Sequence, residues 1–378
     1  MVRALLLSVI AACLSRAAAA QDGRFERVVL AMMAAPASAG LSAELIEDLA
    51  GRYRPASALG AREEVAVVNA MLSRVAVSHL ALLSDSTYRH LLSELEGRDE
   101  PTVGAELVCI GGRFFADAVL DGGPAARAGL LRGDRVLSID GRAPGRSPRL
   151  DARSDDASLP DPATHGLLAS AGETVSFVVE RQRDEILEID VPVSPYSALR
   201  ASRASISTVT LGGHRFGYFH LWYVFERDAA RLVREALERF GGRDGVILDL
   251  RGRGGNGAQC GAILRELSGP RVPRPLAVLI DGRTRSAKEI LAFEIQRRRL
   301  GVLVGEPTAG AVVSCAFSRI DEGSVLMRPD ARVAFYSDML EGTGVAPDVV
   351  AADALRWSEG ADPILEAAAV HLARAAER

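Results

Sequence analysis

Between Phe216 and Gly305 short apolar runs of strand length alternate with helical stretches, and this alternation restricts the possible folds more than any other feature of the chain. Phe216 to Val224 reads as a strand, Arg227 to Phe240 as a helix, Gly245-Val-Ile-Leu-Asp-Leu-Arg251 as a strand and Gly257 to Leu267 as a helix. Pro275 to Asp281 is again strand-like, the stretch from Ser286 onward carries Ile290, Leu291 and Ile295 on one helical side, and Gly301 to Gly305 is a further strand. Repeated strand–helix units predict an α/β core in which helices cover a sheet.

The residues ahead of this core have a different texture. Residues 24–97 carry helical periodicity, with Phe25, Val28, Val29 and Met32 in one stretch, Ala66, Val67, Ala70, Met71 and Leu72 in another, and Tyr88, Leu91, Leu92 and Leu95 in a third. From Gly104 the pattern becomes short strands broken by glycine: Phe114 to Leu120, a short helix within Gly122-Gly-Pro-Ala-Ala-Arg-Ala-Gly-Leu130, then Gly133-Asp-Arg-Val-Leu-Ser-Ile-Asp-Gly141. Residues 146–164, rich in Asp, Ser, Pro and Arg, read as a loop, and Val175–Val179 and Ile186–Val191 as closing strands. The expected organisation is a signal peptide at 1–20, an N-terminal helical domain at 21–99, a β-rich domain at 100–196, an α/β core at 197–356 and a C-terminal helix at 357–378.

Composition narrows the class. A chain of 378 residues has room for two or three domains, and a net charge of -4 with a pI near 6.0 gives no general reason to expect a nucleic acid or an anionic membrane as partner. Arg3, the apolar stretch Ala4 to Leu14 and the small residues Ala17 to Ala20 make up the three regions of a secretory signal, which predicts export to the periplasm or beyond. Ile10-Ala-Ala-Cys13 offers a rival cleavage with a lipid anchor on Cys13, and no later stretch is long and apolar enough to span a bilayer. Cys109, Cys260 and Cys315 fit no zinc spacing and read as small core residues, with a Cys260–Cys315 disulfide as the alternative. The glycine run after Arg251 lacks the G-x-x-x-x-G-K-[ST] pattern of a nucleotide loop. No metal or cofactor is expected.

Chemistry concentrates at Ser286. An apolar strand, a Gly-containing turn and a helical pattern put this serine at a helix start, where unpaired N–H groups favour developing negative charge. Ser286 with Glu289 equally spells S-x-x-E, a capping box. From this segment alone both readings stand.

Five segments in order, Gly217-Tyr-Phe-His-Leu221, Gly245 to Gly255, Thr284-Arg-Ser-Ala-Lys-Glu289, Val304-Gly-Glu-Pro-Thr-Ala-Gly310 and Gly342-Thr-Gly-Val-Ala-Pro-Asp-Val349, resemble the tail-specific, or C-terminal processing, peptidases, and in particular their tricorn-protease-like branch. The region 114–141 is similar to a PDZ domain. The resemblance spans nearly all of the chain after residue 20 and implies a multidomain α/β protein: helical domain, PDZ-like β-rich domain, and crotonase-like α/β peptidase core. Ser286 is then the expected nucleophile of a serine endopeptidase acting on exported polypeptides.

The chain's single lysine, Lys288, decides which base such a serine could use. In lysine-dependent members the base follows a G-E-P-T-F-G-K-like turn, and in register that position is Ala311. Lys288 stands two helical positions from Ser286, about 200° around the axis, so its side chain leaves on the other side. A serine hydroxyl needs a positioned base, and histidine is the usual one. Of six histidines, His79 occupies the place of the tricorn-like base, with Ser78 as an auxiliary hydrogen-bonding residue and Glu341 in the place of the glutamate that orients the base. His220, on an alternating strand with aromatic neighbours, reads as packing. The oxyanion is expected to meet the backbone N–H of Ala287 and that of Gly255 or Gly254. Val103, Gly104 and Ala105 stand where a PDZ domain holds its peptide by strand addition, although they match the usual apolar-Gly pattern poorly. That departure, with the Arg-rich surroundings of Ser286, leaves a second expectation: a peptidase-derived peptide-binding protein without turnover.

Overall fold

A computed structural model describes residues 23–34, 41–57, 59–152, 164–270, 272–331 and 335–377. The signal-like start, Cys13 and most of the expected 146–164 loop lie outside the described residues. The described residues divide into two compact units: those up to 88 with 313–331, and the remainder.

In the first unit the helices Arg24–Met33, Ala43–Tyr53 and Ala61–Leu72 turn Phe25, Val28, Met32, Ile46, Leu49 and Met71 into one core. Ser42 caps the second of them, its hydroxyl accepting from Leu45 N at 3.1 Å. The sequence reading of this unit as purely helical is incomplete. Ala81–Ser84 is a strand, antiparallel to Ser324–Ala331 with Ala81 opposite Met327, and Ser324–Ala331 pairs in turn with Ser314–Asp321. Residues 313–334 therefore leave the continuous 197–356 core expected from sequence. Their strand period of two explains why: Leu326 and Val313 bury their side chains with Leu82 among the helices. Arg24 Nε and Arg27 Nη2 fasten the first helix to Asp321 at 2.8 and 3.2 Å.

The second unit begins with a seven-stranded antiparallel sheet ordered Leu150–Ala152, Thr164–Leu167, Ala105–Ile110, Arg113–Val119, Arg135–Ile139, Thr174–Glu180, Ile186–Pro192. Its short helix Pro124–Ala128 starts on proline and stops at Gly129, which takes φ 92°. Its Ala125 is buried in one cluster with Leu107, Ile139, Phe177 and Val191 of the sheet.

The core sheet has six strands in spatial and chain order: Ser207–Leu211, His214–His220, Gly245–Asp249, Leu276–Ile280, Val302–Gly305 and Val349–Val350. All pairs after the first are parallel. Alternation sorts the side chains. Val246, Leu248, Leu276, Val278 and Ile280 face the helices Ala229–Arg239, Cys260–Leu267 and Ala287–Arg297, whereas Ile247, Ala277 and Leu279 face Ile364, Ala368 and Leu372 of the helix Pro363–Ala376. Successive crossovers of one hand put the three connecting helices on one face and leave the other to the C-terminal helix. Asp249, Ile280 and Gly305 then end their strands at the same sheet edge, the side on which open α/β sheets carry their sites.

Candidate active site

The loop from Asp281 to Arg285 is shaped by one carboxylate. Asp281 Oδ1 accepts from the amides of Thr284 at 2.7 Å, Arg283 at 3.1 Å and Gly252 at 3.1 Å, and from Thr284 Oγ1 at 2.8 Å. The chain leaves this loop through Ser286 at φ 56°, ψ −126°, and the helix Ala287–Arg297 follows directly. A residue with a Cβ costs about 1–3 kcal/mol in such a conformation and persists only where its surroundings impose it. Here the Ser286 amide donates to Ala311 O at 2.8 Å and to Glu289 Oε2 at 3.2 Å.

Glu289 therefore does reach back to the residue that precedes the helix, as a capping box requires, but it reaches much further. Its Oε1 accepts from Thr308 Oγ1 at 2.6 Å and Gly310 N at 2.7 Å, and its Oε2 from Ala311 N at 2.8 Å. Burial raises its pKa, partly offset by these donors. The Gly305 to Ala311 turn is thus held against the start of the serine helix by one buried carboxylate.

Gly254 lies directly against the serine: a Cβ added there would meet Ser286 Cβ at 2.6 Å and Arg285 O at 2.7 Å. Gly255, at φ 141°, bridges Val224, whose carbonyl an added Cβ would meet at 2.3 Å. Both positions accept only glycine. Ala287 follows Ser286 as the first residue of the helix and is buried. Glu341 follows the short helix Tyr336–Leu340, and its Oε2 accepts from Val312 N at 2.8 Å. Since Ser286 N binds Ala311 O, consecutive residues of one segment tie Ser286 and Glu341 together. His79 belongs to the first unit, at φ 58°, with its Nδ1 2.9 Å from the hydroxyl of buried Ser78.

Beneath the loops lies a buried polar network of which the sequence reading caught little. Asp249 is fully buried; it accepts from Tyr218 OH at 2.9 Å and from Arg251 Nε at 3.0 Å. Burial alone would raise its pKa, but the Arg251 charge overrides this and holds the carboxyl far below the usual range. Arg251 also clasps Asp362 at 2.9 and 2.5 Å, and Asp362 caps the C-terminal helix through Leu365 N. His220 stacks on Trp222 with centroids 4.0 Å apart, and burial pushes its pKa down to about 4. Its geometry agrees with packing. Trp222 Nε1 donates to Asp121 Oδ2 at 2.9 Å, and burial pushes that carboxyl up to about 6.

The side chain of Lys288 goes inward rather than to water. It is fully buried, with Nζ donating to Arg251 O at 2.8 Å and Trp222 O at 3.0 Å. Burial brings the ammonium down to about 7, against the pull of Asp249 and Asp281. Its standing as the only lysine, among so many arginines, was the available signal of a special environment. Among the described residues Cys109, Cys260 and Cys315 stand outside any disulfide, which overturns the alternative Cys260–Cys315 pairing.

The Val103–Ala105 segment is engaged within its own domain. Val103 O accepts from Ala125 N at 2.8 Å, Gly104 O from Leu120 N at 2.9 Å, and Gly104 N donates to Thr102 Oγ1 at 2.9 Å. The strand that follows pairs with Arg113–Val119 on one side and, at Leu107 and Val108, with Thr164–Leu167 on the other. Both ladders of Leu107–Val108 are therefore taken, whereas Ala105 and Glu106 are paired in the sheet on the Arg113–Val119 side alone. Arg253, in the glycine loop, reaches into the same region, with Nη2 2.9 Å from Thr164 Oγ1 and 3.4 Å from Glu106 Oε2.

Residues 256–351 match the model of peptidase family S41, and residues 115–151 match that of the PDZ domain. The chain is 29% identical over 283 residues to the carboxyl-terminal-processing protease of Synechocystis, covering 65% of this chain and 62% of that protein. It is 27% identical over 313 residues to tricorn protease homolog 2 of Streptomyces coelicolor, covering 70% of this chain and 25% of that one. Among solved structures, an S41 protease from Bacteroides fragilis superposes with a TM-score of 0.50 at 16% identity, over 86% of this chain and 92% of that one, which is a likeness of fold. Residues 256–351 are thus similar to peptidase family S41 and residues 115–151 to the PDZ domain, and the chain as a whole is similar to the carboxyl-terminal-processing proteases. It spans a quarter to about three-fifths of the length of these curated relatives.

Proposed function

We propose that the chain is a serine endopeptidase in which Ser286 is the nucleophile, His79 the base and Glu341 the carboxylate that orients the base, with Ser78 assisting His79. The observation that carries this reading is the backbone of Ser286, φ 56° and ψ −126° at the mouth of a helix, with Gly254 pressed against it. Strain at a serine on a strand-to-helix turn is the arrangement that exposes a nucleophile. In the reaction His79 removes the hydroxyl proton as Ser286 Oγ bonds to the peptide carbonyl carbon. The carbonyl oxygen, now an anion, is met by the N–H of Ala287 and that of Gly255 or Gly254. His79 then gives its proton to the departing amine, and water releases the acyl group by the same steps in reverse order. No metal or cofactor takes part.

The place of His79, just ahead of the PDZ domain, and of Glu341, just ahead of Gly342-Thr-Gly344, supports those two roles by resemblance. The substrates are polypeptides. The signal-like first 20 residues support exported ones, met in the periplasm or outside the cell. The test is labelling with a fluorophosphonate probe alongside hydrolysis of unstructured peptides. Wild-type protein should be labelled on Ser286 and turn over; Ser286→Ala should lose both, and His79→Ala should lose turnover by about 10⁴-fold or more. Stoichiometric peptide binding without labelling would establish the peptide-binding protein instead.

A further inference from the structure

The Arg251–Asn256 loop carries the proposed Gly254 and Gly255 donors, and its position is set by a second segment, Trp222–Val224. Val224 N donates to Gly254 O at 3.1 Å, Asn256 N donates to Val224 O at 2.7 Å, and Gly255 bridges Val224 between them. At the start of each segment a carbonyl points at the same ammonium: Trp222 O at 3.0 Å and Arg251 O at 2.8 Å from Lys288 Nζ. Lys288 stands on the first turn of the serine helix, one residue after Ala287, the other proposed donor. A single side chain therefore connects the turn bearing one donor with both segments that fix the other.

We propose that Lys288 is a positioning residue for peptide-bond hydrolysis: its ammonium sets the spacing between the Ala287 amide and the Gly254–Gly255 amides, and so the fit of the oxyanion. Lys288 touches neither substrate nor the reacting atoms and acts only through the two carbonyls. The inference rests on the reading of Ser286 as nucleophile. A fully buried ammonium without acceptors would be costly, so the two carbonyls are no accidental neighbours of Lys288. Donor placement matters because an amide contributes to rate only when it meets the oxygen of the tetrahedral state, and small displacements forfeit that gain.

The decisive comparison is Lys288→Met, which keeps the length of the side chain and removes its donors, with Lys288→Gln as the partial replacement. Peptide hydrolysis by Lys288→Met should lose about 10² in kcat with KM changed by less than about threefold, since substrate binding does not use the oxyanion donors. Fluorophosphonate labelling of Ser286 should slow in parallel, and Lys288→Gln, which can still donate to one carbonyl, should fall between the two. Unchanged kcat and labelling in folded Lys288→Met would overturn the proposal while leaving Ser286 as nucleophile. Absence of labelling in the wild type would instead remove the nucleophile itself. Should neither variant fold, the wild type decides. Isotope-labelled lysine gives one side-chain resonance from this single-lysine chain. That resonance should shift when Ser286 is phosphonylated, and an unmoved resonance would overturn the proposal.

Discussion

Arg251 in the α/β core and Arg149, in the turn before the sheet strand Leu150–Ala152, each bridge two carboxylates, and the two bridges sit in opposite surroundings. Arg251 joins Asp249, whose side chain is 0% exposed, to Asp362, the cap of the C-terminal helix. Arg149 joins Asp140 and Glu173, whose side chains are 35% and 43% exposed, and also donates to Leu168 O at 3.2 Å. Water can replace what Arg149 supplies; it has no access to Asp249. In the core, charge fixes the strand end from which the glycine loop departs. In the PDZ domain it fastens one loop to another where solvent already satisfies both ends.

Arg251→Ala breaks this comparison most directly. It strands Asp249 as a buried charge and frees the cap of the C-terminal helix, and should cost about 3–5 kcal/mol by chemical denaturation. A loss below about 1 kcal/mol would mean that water reaches Asp249 and that the two bridges are alike. Glycines extend the contrast. Gly254→Ala must displace Ser286 Cβ or Arg285 O, so it should cost about 1–3 kcal/mol and at least about 10² in kcat. Gly111, in the turn between Ala105–Ile110 and Arg113–Val119 at φ +58° with open space around it, should lose only about 1 kcal/mol on change to alanine and leave the proposed peptide hydrolysis unchanged.

How much of this was legible in the sequence also differs between the regions. Strands such as Gly245–Asp249 and Leu276–Ile280 and the helix at Ser286 follow from apolar period and turn residues, and the glycine-rich loop announced a close approach. The strand Ala81–Ser84 did not, because four residues beside helices carry too little period, and its partner is more than 200 residues away. The same distance hid the departure of residues 313–334 from the core. At the candidate site, the place of Ser286 at a helix start was legible, but the Asp249–Arg251–Asp362 and Lys288 contacts join strand ends and a helix cap far apart in sequence. For Lys288, only packing told what the ammonium meets.

The network also makes a prediction for pH. An unfolded histidine protonates near 6.5, whereas burial keeps His220 neutral down to about 4. Between these values the unfolded chain binds more protons, so stability from His220 is complete above 6.5 and is lost as pH falls toward 4, by on the order of 2–3 kcal/mol. Asp121 acts with the opposite sign: held at about 6 against 3.8 unfolded, its contribution grows as pH falls through that window. Arg251 stays charged throughout it and Asp249 stays ionised, whereas Lys288, held at about 7, is partly neutral at the upper end and completes its charge as pH falls. His220→Gln should therefore lose less thermal stability than the wild type between pH 6.5 and 4.5. Equal losses would show that His220 takes its proton in the folded chain.

The smallest effect belongs to Arg149→Ala. Its two ion pairs lower the pKa of Asp140 and Glu173, in the first case against a modest burial, but both carboxylates remain in contact with water and regain hydration when the guanidinium goes. Screening by salt acts on such pairs and scarcely on a dry one. Arg149→Ala should thus cost about 0.5–1 kcal/mol at low ionic strength, and most of that loss should vanish in about 0.5 M salt. Denaturation of Arg251→Ala measured in the same two buffers supplies the contrast, because its loss should hardly move. A salt-independent loss at Arg149 would place that arginine, and the loops it joins, in the same dry class as the core.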